Sequence, residues 1–190
     1  ESKIACLDAD RFDAVCDHLV VRELVTGEVV GTYRLQTGRS AAKNLGYYSE
    51  TEFDFAPFEP FRAEIVELGR ACVAQSHRNQ TVITLLWKGI AAYARQHGGR
   101  YLVGCSSLTS QDPAAGAAAF EVLKVRHLAP PAWRTHALPG WTCGEPGDTP
   151  APKIPKLMSA YLALGAWICG EPAIDREFKT IDFLTCLDLS

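Results

Sequence analysis

Between Ile65 and Tyr93 the sequence sets an acid and a base three residues apart, Glu67-Leu-Gly-Arg70, ahead of a polar run, Gln75-Ser-His-Arg-Asn-Gln80. Glu67 lies in an apolar stretch, Ile65-Val66-x-Leu68, and burying a carboxylate alone is costly, so it is either ion-paired or functional. Arg70 falls on the opposite side of an ideal strand, and a bulge would be needed to bring both to one face. The polar run leaves a strand and enters a helix. His77, Arg78, Asn79, Gln80 and Thr81 would there surround the unpaired N–H groups of a helix start, which suit a phosphate oxygen.

Two further sets are acidic or mixed. If Ser49–Phe53 is extended, Glu50 and Glu52 share one face. With Asp54 they make a row suited to a cationic amino acid, and Glu50 or Glu52 can serve as general base for its ammonium; a solvated strand face is the other reading. Asp175, Arg176 and Glu177 interrupt an apolar context, either to contact a charged substrate or as a salt-bridge cluster. His127 follows a helix, as a substrate contact or a cap. His18 reads as structural, and Trp87, Trp133, Trp141 and Trp167 as core or pocket lining.

The elements that would position these groups follow from patterning. His18 to Leu35 reads as a hairpin turning at Thr26-Gly27-Glu28. Residues 36–46 read as loop, and Tyr47–Phe53 as a short strand or helix edge. Ile65–Val73 is a strand, and Thr81–His97 a helix with apolar residues at 82, 83, 86 and 90 and a stop at Gly98-Gly99. Tyr101–Cys105 is the next strand, closing a βαβ unit. Asp112 and Pro113 open a helix that runs to about Arg126. Another helix opens near Pro155, and Thr180–Leu189 alternates as a half-buried closing strand. The class is α/β or α+β, a mixed, mostly antiparallel sheet flanked by helices, in one domain over 1–190.

Composition narrows the function. The chain has 190 residues and a formal net charge of −3, against the basic excess of nucleic-acid binders. Met158–Gly170, its longest strongly apolar stretch, falls short of the roughly 20 residues that a membrane span needs. No signal peptide is visible, and the expected location is cytoplasmic. Seven cysteines stand at 6, 16, 72, 105, 143, 169 and 186, an odd number without a C-x-x-C pair, so reduced thiols and no metal are expected. The single methionine is Met158, so Glu1 reads as following a removed or omitted segment.

A strand meander, then strand–loop–helix–strand, then a further helix and strand, is the element order of the GNAT acyltransferase fold. That fold implies that the loop before the long helix holds the phosphate of coenzyme A or of carrier-bound pantetheine. Here the loop, Arg78-Asn79-Gln80-Thr81, lacks the usual glycines, which points away from free coenzyme A. Phe12-Asp-Ala-Val-Cys-Asp-His18, Tyr48-Ser-Glu-Thr-Glu-Phe-Asp54, Glu67-Leu-Gly-Arg70, Leu85-Leu-Trp-Lys-Gly-Ile90, His127-Leu-Ala-Pro-Pro131 and Gly170-Glu-Pro-Ala-Ile-Asp-Arg-Glu-Phe178 resemble the ornithine-lipid N-acyltransferase family. Its members are sometimes labelled hemolysin-like and are similar to acyl-homoserine-lactone synthases.

The resemblance implies transfer of a 3-hydroxyacyl group from acyl carrier protein to the α-amino group of ornithine, giving lyso-ornithine lipid. Glu67, Arg70, Glu50 and Glu52 are then the catalytic candidates. Asp54, Asp175, Arg176 and His127 are the substrate contacts, and residues 77–81 hold the donor phosphate. No cofactor is bound, since the acyl-phosphopantetheine thioester is a co-substrate, carried by acyl carrier protein or coenzyme A. An acidic carrier would dock on Arg95, His97 and Arg100, or on Lys124 and Arg126. The lipid product implies peripheral membrane contact, and the family's N-terminal strand and helices are missing. Where ordinary GNAT enzymes place a tyrosine acid in the second helix, this chain has Phe120, so no acid is assigned. Two alternatives stand beside this reading: a synthase of another N-acyl amino acid or a lactone signal, and a non-catalytic lipid-interacting protein.

Overall fold

The computed structural model describes residues 8–190, so Cys6 lies outside the described residues. Packing divides the chain into two compact units, one running to Tyr48 and resuming over Ala63–Arg100, the other made of Ser49–Arg62 and Tyr101–Ser190.

In the first unit, β1 (Asp17–Arg22), β2 (Val29–Thr37) and β3 (Ile65–Val73) form antiparallel neighbours in that order. The β1–β2 turn passes through Gly27 at φ 73, a conformation that costs glycine little. Helix α2 (Gln80–His97) ends at Gly98 in the left-handed region, as the Gly-Gly pair predicts. It lies on one face of the strands, where a Cβ on Gly31 would meet Val82 Cγ1 at 2.7 Å and one on Gly89 would meet Leu19. Paired and alternate strand residues share a face. Tyr33 and Leu35 therefore lie on the Gly31 side, and Arg34 and Gln36 on the other.

Residues 36–46 are not all loop: Gly38–Lys43 is a helix, α1, whose first turn is capped by Thr37 Oγ1 accepting from the Ser40 N–H. Six residues are too few to show a helical period, and the glycine at the first position disguises the start.

In the second unit, β4 (Tyr101–Leu108) pairs antiparallel with β7 (Thr180–Asp188) along its whole length. The short strands β5 (Trp167–Ile168) and β6 (Ala173–Asp175) also pair with β7. Helix α3 (Pro113–His127) starts as predicted, with Asp112 Oδ1 accepting from the Ala114 N–H. With α4 (Lys156–Ala163) it contributes Ala119, Leu123, Met158 and Leu162 to a core shared with Ile181 and Phe183. β7 is not half-buried: Ile181 through Cys186 are all buried. Leu184 and Cys186 are as apolar as the residues that alternate with them, so both faces are covered. No helix among the described residues is long and apolar enough to cross a membrane.

Candidate functional site

Glu67 and Arg70 do reach one face of β3. Thr32 pairs with Cys72, and Arg34 with Gly69, so two residues, Arg70 and Ala71, oppose Tyr33 alone. This is a β-bulge, and Arg70 sits in it at φ 49. Glu67 pairs with Gln36 and faces away from α2, like Arg34. Arg70 joins that face, because its Nη2 and the Nη1 of Arg34 hold the same carboxylate, Asp10, at 2.9 and 2.7 Å.

The rest of the cluster comes from the segment before β1. Asp13 binds Arg34 at 2.8 Å, and Asp8 binds Arg70 at 2.7 Å. Phe12, buried, lies under the Arg34 guanidinium at 5.6 Å and edge-on to Tyr48. The Tyr48 N–H donates to Glu67 Oε2 at 2.8 Å. Glu67 is 6% exposed, so its carboxylate is held by a backbone donor in a nearly dry setting. Beside it Gln36 is buried with neither amide atom hydrogen-bonded.

Asp10, Asp13, Arg34 and Gln36 escape sequence reasoning. The charges that pair here are 21 to 62 residues apart along the chain, and a buried arginine on a strand has no spacing signature. Arg70 is committed to two carboxylates rather than presented as a lone cation for substrate.

The electrostatics are those of a closed ion-pair network. Burial pushes the Asp10 carboxyl up, but hydrogen bonds from Arg34 and Arg70 outweigh it and hold the group at about 2. A pKa depressed in the folded state adds stability above the ordinary carboxyl range and loses it as pH falls through the folded value. Stability should therefore drop by about 2 kcal/mol between pH ~4 and pH ~2 on this group alone. Urea titrations across that range test it: Asp10→Asn should remove this part of the acid sensitivity, and an unchanged acid limb would refute the assignment.

Burial also pushes the Cys16 thiol up to about 11, helped by Glu67, Asp10 and Asp13 and opposed by Arg34. Cys143 is raised to about 11, and Cys169 and Cys186 are raised as well, all chiefly by burial. These four stay protonated near neutral pH and are poor nucleophiles. None of the six cysteines among the described residues is in a disulfide.

The loop before α2 is a capped helix start. Asn79 Oδ1 accepts the N–H groups of Thr81 and Val82 at 3.0 and 3.2 Å, two of the donors expected for phosphate. Arg78 Nε donates to the Val73 carbonyl at 3.3 Å, and half-buried His77 lies 3.8 Å from Glu23. Gln80 and Thr81 are exposed. Asn79→Ala should cost about 1 kcal/mol of stability in a urea titration and Asn79→Asp almost none. Equal losses in both would mean that the cap contributes nothing.

The acidic row does not form. Tyr48–Thr51 is a 3-10 turn, not a strand, so Glu50 and Glu52 diverge. Glu50 binds Arg62 at 2.5 Å, shared with Glu59. Glu52 is fully buried, with Oε2 3.8 Å from Cys105 Sγ. Asp54 Oδ1 accepts the Ala56 N–H, starting the next 3-10 helix.

In the last group, buried Asp175 accepts the N–H groups of Glu177 and Phe178 at 2.7 and 2.9 Å. Exposed Arg176 donates to the Gly140 carbonyl at 2.7 Å. His127 is half-buried and ends α3.

Residues 1–88 match the acetyltransferase (GNAT) domain. Over 96% of its length the chain is 36% identical to an L-ornithine N(alpha)-acyltransferase of Brucella abortus, 70% of which it covers. It is 35% identical to one of Agrobacterium fabrum, with 96% and 68% covered. Among solved structures, the N-acyl amino acid synthase FeeM from uncultured soil microbes superimposes with a TM-score of 0.57 at 10% identity, covering 95% of this chain and 79% of that one.

Proposed function

The chain belongs to the L-ornithine N(alpha)-acyltransferase family and has the GNAT acyltransferase fold, and from that membership we propose that it acylates the α-amino group of ornithine from a phosphopantetheine thioester. The donor in this reading is 3-hydroxyacyl–acyl carrier protein, and the product is lyso-ornithine lipid. The two units work as one acyltransferase domain over 1–190, cytoplasmic and in peripheral contact with the membrane. Membership of an acyltransferase family disposes of the passive lipid-binding alternative.

One observation carries the chemistry: a nearly dry Glu67 carboxylate, oriented by the Tyr48 N–H, lies beside a backbone bulge. Glu67 takes a proton from the α-ammonium, and the freed amine forms a C–N bond at the thioester carbonyl. The tetrahedral oxyanion draws on the N–H that the bulge leaves out of the β2–β3 ladder. Collapse breaks the C–S bond, and the pantetheine thiolate leaves with the second amine proton. Gln36, next to Glu67, offers one donor and one acceptor to the amino-acid head group. Arg34, Arg70, Asp10 and Asp13 are positioning residues that fix Phe12 and Tyr48. The donor phosphate approaches the α2 start, where Asn79 would yield its two N–H groups.

A thiol-release assay tests this, with 3-hydroxyacyl–carrier protein and 3-hydroxyacyl–coenzyme A each offered a panel of amino acids. Release with ornithine and the carrier-borne donor is expected. Release only with another amine moves the acceptor, release only with coenzyme A moves the donor, and release with neither donor sinks the reading.

A further inference from the structure

We infer that the second unit holds a site for one divalent cation of the zinc class, with Glu52, Cys105 and Asp182 as its protein ligands. Three separate segments converge there. Glu52 follows the 3-10 turn at Tyr48–Thr51, Cys105 is in the middle of β4, and Asp182 is on β7. Ser107 pairs with Asp182, and Cys105 with Leu184. Cys105 and Asp182 are thus diagonal neighbours on one face of the ladder.

One ligand atom from each of the three residues lies within 4.8 Å of the other two, and Cys105 Sγ is 3.8 Å from Glu52 Oε2. Three atoms no more than 4.8 Å apart leave a central point no farther than about 2.8 Å from each. Zinc takes sulfur at about 2.3 Å and carboxylate oxygen at about 2.0–2.2 Å. A contraction of about half an ångström at most brings the three ligands to those distances and leaves a fourth position for water.

A second observation points the same way. Asp182 is 4% exposed, and its Oδ1 is buried without a hydrogen-bond partner, an arrangement that costs free energy unless something takes that lone pair. Ser107, Thr180 and Glu52 lie within hydrogen-bonding reach of the rest of the Asp182 side chain, with Asp175 nearby, and none of these groups is cationic. A thiolate with two carboxylates selects a borderline-soft ion over magnesium or calcium. Cys105 is half-buried and the two carboxylate residues are buried. The residues are too far apart in sequence to make a metal-binding spacing, and the sequence reading, which expects no metal, has no means of finding them.

Cobalt alone is the probe. Added to the purified, metal-stripped full chain, Co²⁺ should give a thiolate-to-cobalt charge-transfer band that saturates at one equivalent and is bleached by Zn²⁺. Cys105→Ser should abolish the band and Cys72→Ser leave it intact. Asp182→Asn should weaken cobalt binding at least about tenfold, and Zn²⁺ should raise the thermal midpoint of the native chain but not of Cys105→Ser. If instead the carboxyls share a proton and the thiol stays protonated, no band appears at millimolar cobalt and zinc leaves the midpoint unchanged, which overturns the proposal. A band that survives in Cys105→Ser, whether or not that variant is fully folded, overturns it equally.

Discussion

Glu67→Gln should lower kcat by about 10²–10⁴-fold, the range for loss of a general base, with little change in stability. The substitution keeps shape and volume. The new amide oxygen can accept the same Tyr48 N–H that the carboxylate now accepts at 2.8 Å, so the local backbone has no reason to move. What is lost is the capacity to take a proton. The pH profile separates this role from a merely structural one. With the base gone, the variant should recover activity steeply as rising pH deprotonates the amine in solution, whereas a distorted site would stay inactive throughout. Glu67→Asp shortens the side chain by one methylene and should fall between the two. Activity of Glu67→Gln within threefold of the unaltered chain would remove Glu67 from the chemistry.

The parts of this site that sequence reveals are those with a local signature. Glu67 announces itself because a carboxylate inside Ile65–Leu68 contradicts its neighbours, and α2 because its apolar period runs for more than three turns into a Gly-Gly stop. The bulge at Arg70 is foreseeable only as a requirement, from the odd spacing of two residues wanted on one face. Asp10, Asp13 and Arg34 give no local sign, since each looks like an ordinary surface charge until the strands bring them together. Glu52 misleads for a related reason: strand spacing would pair it with Glu50, but a 3-10 turn has three residues per turn and throws neighbours two apart to different sides. Closing strand β7 was foreseeable in place and not in burial, because alternation reports one covered face and cannot show that the second is covered too.

The ion-pair network behind Glu67 makes the second large expectation, a loss of about 3–5 kcal/mol of folding stability in Arg34→Met. The Arg34 side chain is 5% exposed and binds both Asp10 and Asp13, and its guanidinium also packs on the Phe12 and Tyr48 rings. Methionine replaces the stem and none of the hydrogen bonds, so two carboxylates are left facing each other with Arg70 as the remaining cation on Asp10. Their side chains are 22% and 28% exposed, so water recovers part of the cost and the lower end of the range is expected. Arg70→Met should be milder, because one of its carboxylates, Asp8, is 80% exposed, and solvent replaces that partner at small cost. A double-mutant cycle of Arg34→Met with Asp13→Asn isolates the pair: coupling of more than about 1 kcal/mol is expected for a contact this buried. The two variants also differ in activity at a temperature where both stay folded. Arg34→Met loosens the Phe12–Tyr48 contact that aims the Tyr48 N–H at Glu67, so it should lower kcat, and Arg70→Met should lower it less. Urea midpoints at constant m for the four chains settle the matter, and an Arg34→Met loss below 1 kcal/mol would show that the network does not hold the site together.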